Sequence, residues 1–173
     1  MKQRLTWVAA IAVLAVSSVA MANFRQGDKE FTLSGSGSND KKFEAGGVNV
    51  NASIGYFVTD GFELSVRQSI NYADAGDNRD QIWNGSTRLA ADYNFDLGRW
   101  RPFIGVNGGY VYGDGVNDTW EAAPEGGVKF FVNDTTFLYG QIEYQFFFRD
   151  ANGADDAFDD GQFVYSIGIG FRF

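Results

Sequence analysis

The sequence predicts an all-β fold: an eight-stranded antiparallel up-and-down barrel whose strands cross a membrane. Three observations carry this. Apolar and polar residues alternate along several stretches, the period-2 mark of a half-buried strand. Tight-turn centres at Asp60, Leu97 and Asp134 are each 37 residues from the next. The aromatic residues of the apolar phase gather at the two ends of these stretches rather than in their middles.

The first element is expected to be removed. Lys2 and Arg4 give a basic start, Leu5 to Ala15 is apolar, and Ala20-Met21-Ala22 is a small-x-small cleavage site. This is the pattern of a signal peptide over 1–22, with the mature barrel domain over 23–173. The apolar part is too short for a membrane helix.

The strands are then expected over 28–37, 46–58, 62–72, 82–95, 101–112, 120–132, 136–148 and 162–173. In the second, Val48, Val50, Ala52, Ile54, Tyr56 and Val58 alternate with Asn49, Asn51, Ser53 and Gly55. In the third, Phe62, Leu64, Val66, Ile70 and Tyr72 oppose Glu63, Ser65, Arg67, Ser69 and Asn71, with Gln68 a polar member of the apolar phase. The fourth sets Trp83, Leu89, Ala91, Tyr93 and Phe95 against Arg88 and Asp92. The seventh sets Leu138, Ile142, Tyr144, Phe146 and Phe148 against Gln141, Glu143 and Gln145. The first, fifth and sixth follow from the division of the mature chain into four nearly equal hairpin units. Short turns at Thr59-Asp60-Gly61, Asp96-Leu97-Gly98-Arg99 and Asn133-Asp134-Thr135 carry Asx and Gly residues suited to tight reversals. Longer polar loops fall between them, near 38–44, 73–81, 113–118 and 150–161. Short turns at one end and long loops at the other is the layout of a transmembrane barrel.

A soluble barrel would also alternate, with its apolar phase turned inward. The aromatics argue for the reverse. Tyr72, Trp83, Tyr110, Tyr112, Trp120, Phe146, Phe148, Phe163 and Tyr165 lie beside the long loops, and Tyr56, Phe62, Phe95, Phe130 and Phe173 beside the short turns. Two such belts mark a lipid-facing surface, and an eight-stranded interior is too narrow for so many rings. The other phase is then the interior. It carries Arg67, Arg88, Asp92, Glu121, Glu125, Lys129, Glu143 and Arg172 among small residues. Both signs are present, so a plug of ion pairs is expected in preference to a gate or proton path. Pro124 falls inside the sixth strand, where it cannot donate to a ladder; either a bulge or a later ladder start is expected there.

Composition bounds the function. Without Lys2 and Arg4, 12 basic residues face 22 acidic ones, a net charge of −10. That argues against nucleic acid as a partner. With no cysteine there are no disulfides, so the fold must close on hydrogen bonds and apolar burial. Aromatics reach 17% while mean hydropathy is only −0.23, and Gly numbers 22 against 2 Pro. Strands whose two faces meet different solvents reconcile these values.

The last strand places Phe163, Tyr165, Ile167, Ile169, Phe171 and Phe173 on one face. This ending resembles the C-terminal strand of outer-membrane proteins. The segments Gly55–Asp60 and Gly127–Asp134 resemble strand–turn segments of the small outer-membrane barrel family, which includes OmpX/Ail-like proteins, opacity-type proteins and the OmpA membrane domain. The resemblance is architectural and covers the mature chain. It implies the outer membrane of a Gram-negative cell, lipid and lipopolysaccharide as surroundings, and recognition of the final strand by the barrel-assembly machinery.

The chain has no His and no Cys. A hydroxyl nucleophile lacks the imidazole base it usually needs, so no enzyme is expected, and His/Cys metal sites are excluded. No cofactor is expected. In the last loop Asp150, Asp155, Asp156, Asp159 and Asp160 offer oxygen ligands to calcium, but their spacing does not match an EF-hand, and a solvated charge run is the preferred reading. Lys41, Lys42, Arg79 and Arg149, in or beside the long loops, are candidate contacts to lipid phosphates, with ordinary loop charge as the plainer account. The expected function is a non-enzymatic, monomeric outer-membrane barrel with an envelope-structural or surface-interaction role. A narrow pore for small solutes and a soluble periplasmic binding barrel stand as alternatives.

Overall fold

The computed structural model describes residues 24–39, 46–74, 82–113, 119–148 and 161–173. The segment 1–22 and Asn23 lie outside the described residues, as do Lys41, Lys42, Arg79, Arg149 and the five aspartates of the last loop. Eight strands follow one another: β1 (Lys29–Asn39), β2 (Gly46–Phe57), β3 (Phe62–Asp74), β4 (Ile82–Asn94), β5 (Trp100–Gly113), β6 (Thr119–Phe131), β7 (Thr136–Phe148) and β8 (Gln162–Arg172). Each pairs antiparallel with the next, and β8 returns to β1, giving a closed up-and-down barrel. The expected eight-stranded architecture is the one observed, with strand ends within two residues of those read from alternation.

Side-chain chemistry fixes the short reversals. Thr59 Oγ1 accepts from Phe62 N at 3.0 Å after β2, and Asp96 Oδ1 accepts from Gly98 N at 3.1 Å after β4. After β6, Asn133 Oδ1 accepts from the backbone of both Thr135 and Thr136. These are local side-chain-to-backbone turns, which tie register to the turn residue. Gly98 adopts φ +75°, a conformation glycine reaches without penalty.

Closure pairs the two ends of the sheet. Lys29 N donates to Phe173 O at 2.9 Å and Phe173 N to Lys29 O at 3.0 Å. Beyond this the β1–β8 ladder has five register pairs, from Glu30↔Arg172 to Ser34↔Gly168, against ten to twelve in every other ladder. The seam is therefore the most weakly joined part of the wall.

The apolar phase faces outward. Ile54 is 63% exposed, Leu89 67% and Ile167 78%, and Tyr72, Trp83, Trp120, Phe163 and Tyr165 are exposed near the long loops. Tyr56, Tyr93, Phe95, Trp100 and Phe173 are exposed near the short turns. An apolar surface this continuous marks contact with lipid or protein.

One expectation needs correcting. Pro124 causes neither a bulge nor a late start. It lies within β6, pairs in register with Val106 of β5, and the β6–β7 register is the same on both sides of it. The β7 ladder is instead interrupted between Ala122↔Phe146 and Glu125↔Glu143. An imino nitrogen cannot donate, so the ladder breaks locally without inserting a residue. The interior also holds large rings. Phe57, Phe131, Phe137 and Tyr139 belong to the inward phase and, with Phe24, form a buried cluster at the short-turn end. Phe24 stacks on Phe57 with centroids 4.0 Å apart, and Phe131 lies 5.0 Å from Phe137. The barrel accommodates them because glycine stands opposite: a Cβ on Gly170 would lie 2.0 Å from the Phe137 ring.

Candidate functional site

The inward phase of all eight strands converges on a polar lumen, and its charges fall into tiers. Nearest the short turns, Lys129 of β6 donates to both Glu30 oxygens at 2.7 and 2.8 Å and to Glu63 at 2.9 Å. Its ammonium lies 5.2 Å from the Phe24 centroid and 5.4 Å from that of Phe103. A desolvated ammonium gains from aromatic faces as well as from carboxylates.

In the second tier Arg67 of β3 grips Glu125 of β6 through both terminal nitrogens, at 2.6 and 2.7 Å, and reaches Asp92 of β4 at 2.8 Å. The two-pronged geometry is the strong form of a charge-assisted hydrogen bond. Asn107 and Gln141 add donors to Glu125 Oε2 at 2.6 and 2.7 Å. In the third tier Arg88 of β4 holds both oxygens of Glu143 on β7 through one nitrogen, at 3.0 and 2.9 Å, with Glu121 3.6 Å from its Nε. Asn107 also donates to Glu143, which joins the second and third tiers.

Close approach of backbone makes room for these acids. A Cβ on Gly55 would stand 1.8 Å from Glu63 Oε1, and one on Gly105 would stand 1.9 Å from Asp92 Oδ1. Any side chain at either position would displace the carboxylate that meets its cation.

The structure thus brings together Arg67, Arg88, Asp92, Glu125, Lys129 and Glu143, with Glu121 beside them. Arg172 is placed differently from the expectation. It belongs to the inward phase but lies at the rim, where Nη2 donates to the Asp134 carbonyl at 2.8 Å and Nη1 is 3.5 Å from Asp28. Its position as the last residue of β8 puts it level with the turns.

Sequence reasoning placed Glu63 in the inward phase without singling it out, and missed Glu30; these are the acids that hold Lys129. Both were within reach of the alternation rule, since Glu63 sits between the outward Phe62 and Leu64, and Glu30 precedes the outward pair Phe31 and Leu33 by odd steps. Arg101, 2% exposed and 2.5 Å from Asp96, was missed as well. Phe24 had no signal, because it precedes the first strand.

Among the described residues no group of three or more His, Cys, Asp or Glu side chains is placed to hold a metal ion. No helix among them is long and apolar enough to cross a membrane, which does not bear on crossing by strands.

Comparison with solved structures identifies the architecture. The N-terminal β-barrel domain of Pseudomonas aeruginosa OprF superposes with TM-score 0.57 at 18% identity, over 86% of this chain and 98% of that one. The fold is that of the small outer-membrane barrels. The outer-membrane protein OprG of Pseudomonas aeruginosa gives TM-score 0.58 at 14% identity, over 88% and 99% of the two chains. Neisserial surface protein A gives 0.55 at 14% identity, over 84% and 94%. No protein-family model and no curated protein sequence matches the chain. The likeness is one of fold, carried by strand number and pairing at low sequence identity.

Proposed function

We propose that the chain is a non-enzymatic integral outer-membrane barrel whose lumen is blocked by its own side chains, serving envelope support or surface presentation. The observation that carries this is the set of cross-lumen ties. Lys129 joins β6 to β1 and β3, Arg67 joins β3 to β6, and Arg88 joins β4 to β7. Each spans the barrel between strands that are not neighbours in the wall. Every interior carboxylate named above is engaged by a cation, which suits a structural network better than an acid–base pair poised for chemistry.

The exposed aliphatic band between two aromatic belts supports placement in a Gram-negative outer membrane, with lipopolysaccharide around it. It also counts against a soluble binding barrel, whose apolar phase would point inward. In this reading the protein is a monomer, delivered by the barrel-assembly machinery, and passes no wide solute flux.

Cell fractionation and gel mobility of boiled against unboiled samples test the reading. An outer-membrane pool with a heat-dependent mobility shift is expected; a soluble protein without the shift overturns it. Planar-bilayer recordings test the narrow-pore alternative, and silence across applied voltages is expected.

A further inference from the structure

The half of the lumen nearer the long loops is built differently from the half below. Beside the Arg88–Glu143 pair and toward those loops lies a cavity of about 440 Å³, a volume common for small-molecule sites. One wall carries Asn51, Asn49, Asn71 and Asn84, contributed by β2, β3 and β4. Their amides run head to tail. Asn51 Nδ2 donates to Asn49 Oδ1 at 2.6 Å, Asn49 Nδ2 donates to Asn71 Oδ1, and Asn71 Nδ2 donates to Asn84 Oδ1 at 2.8 Å. The Ser69 hydroxyl donates to Asn51 Oδ1. A primary amide has two N–H donors and two acceptor sites. Asn51, Asn49 and Asn71 each spend one donor and one acceptor along this chain, so each keeps one of both kinds for the cavity.

The remaining walls complete the chemistry. Phe147 lines the cavity from β7 with its aromatic ring. Arg88 Nε and Glu121 Oε1, both buried in the lining, face each other at 3.6 Å, so the charged groups of this wall satisfy one another and leave the asparagines to meet a ligand. Charge selects against anions, because the lining's one guanidinium, Arg88, is already engaged by Glu143 and Glu121 and an entering anion meets two carboxylates. What matches is a neutral molecule whose polar atoms both donate and accept, which is the property of a hydroxyl, and whose ring offers an apolar face to Phe147.

We propose that this cavity is a binding site for a neutral polyhydroxylated solute of monosaccharide size. A free sugar and the terminal residue of a surface polysaccharide share this chemistry. The test uses isotope-labelled full-length barrel in micelles, titrated with methyl α-D-glucopyranoside while the asparagine side-chain amide signals are followed. Saturable shifts of Asn71 and Asn84 with a dissociation constant on the order of 1 mM are expected. Asn71→Leu and, on another strand, Phe147→Leu each weaken binding about tenfold or more, with the heat-dependent mobility shift retained as proof of folding.

A linear glucan oligomer separates the sources: matching shifts assign polysaccharide ends, and silence beside a responding glucoside assigns free solutes, both in keeping with the site. The proposal is overturned if the glucoside gives no saturable shift, if inorganic phosphate or glycine betaine shifts the same signals equally, or if folded variants bind unchanged. The gel assay reads the barrel itself, so failure of the site and failure of the membrane reading give different results.

Discussion

Lys129 Nζ and the Glu30 carboxylate meet across the lumen at 2.7 and 2.8 Å, joining β6 to β1 over the short-turn end of the barrel. Glu63 completes the triad, and all three residues are buried. Removing one member of a buried ion pair leaves its partner uncompensated, at about 3–5 kcal/mol. Lys129→Met is therefore expected to destabilise the barrel by roughly that amount in urea titrations in micelles. Adding Glu30→Gln and Glu63→Gln should recover most of the loss, because the orphaned charges are gone. An unchanged midpoint for Lys129→Met alone would show that the triad does not hold the strands.

The lipid-facing surface contains a polar exception that satisfies itself. Gln68 Nε2 donates to Tyr112 Oη at 2.8 Å, and Thr87 Oγ1 donates to Gln68 Oε1 at 2.8 Å. Tyr112→Phe removes an acceptor in an apolar surrounding and should cost about 1–3 kcal/mol of unfolding free energy. The triple variant Thr87→Val, Gln68→Leu, Tyr112→Phe should lie near the parent. If the single change is silent, these groups do not face hydrocarbon.

Pro124 leaves a gap in an otherwise continuous wall. Pro124→Val restores a backbone donor and an outward β-branched side chain, and should stabilise by about 0.5–1.5 kcal/mol. Hydrogen exchange at the amide created at position 124 reads the repair directly, with protection expected because the register sets it opposite Tyr144 of β7. Fast exchange of that amide would place the cause of the gap elsewhere.

Phe173 contributes two backbone hydrogen bonds to closure and a side chain 69% exposed. Its deletion should lower the outer-membrane yield in cells more than it lowers stability of refolded protein, because the exposed ring packs on little within the chain. Equal yields would show that the terminal aromatic is not read during assembly.

The barrel was legible in the sequence because its cause is periodic. Alternation such as Phe62-Glu63-Leu64-Ser65-Val66-Arg67 assigns faces residue by residue, and the 37-residue spacing of Asp60, Leu97 and Asp134 counts the hairpins. The inward charges of the middle tiers followed from the same rule. What alternation does not carry is height along the lumen. Arg172 and Lys129 share a phase, yet one lies at the rim and the other beneath a lid of rings. Nor does it say which inward positions take an aromatic ring, since room for Phe137 comes from Gly170 on a neighbouring strand. The asparagine chain was read only as the polar phase of its strands, because its order arises from three strands side by side.

The seam has a mechanical meaning. Lys29 and Phe173 are bonded neighbours at one end of the wall, so tension applied between the chain ends peels β1 from β8 bond by bond instead of shearing a whole ladder at once. Only five register pairs resist before the edge is free. Under single-molecule force the barrel should then yield at low load and unravel hairpin by hairpin, in even steps set by the 37-residue repeat. One cooperative rupture of the entire wall would show that the lumen ties, and not the seam, bear the load.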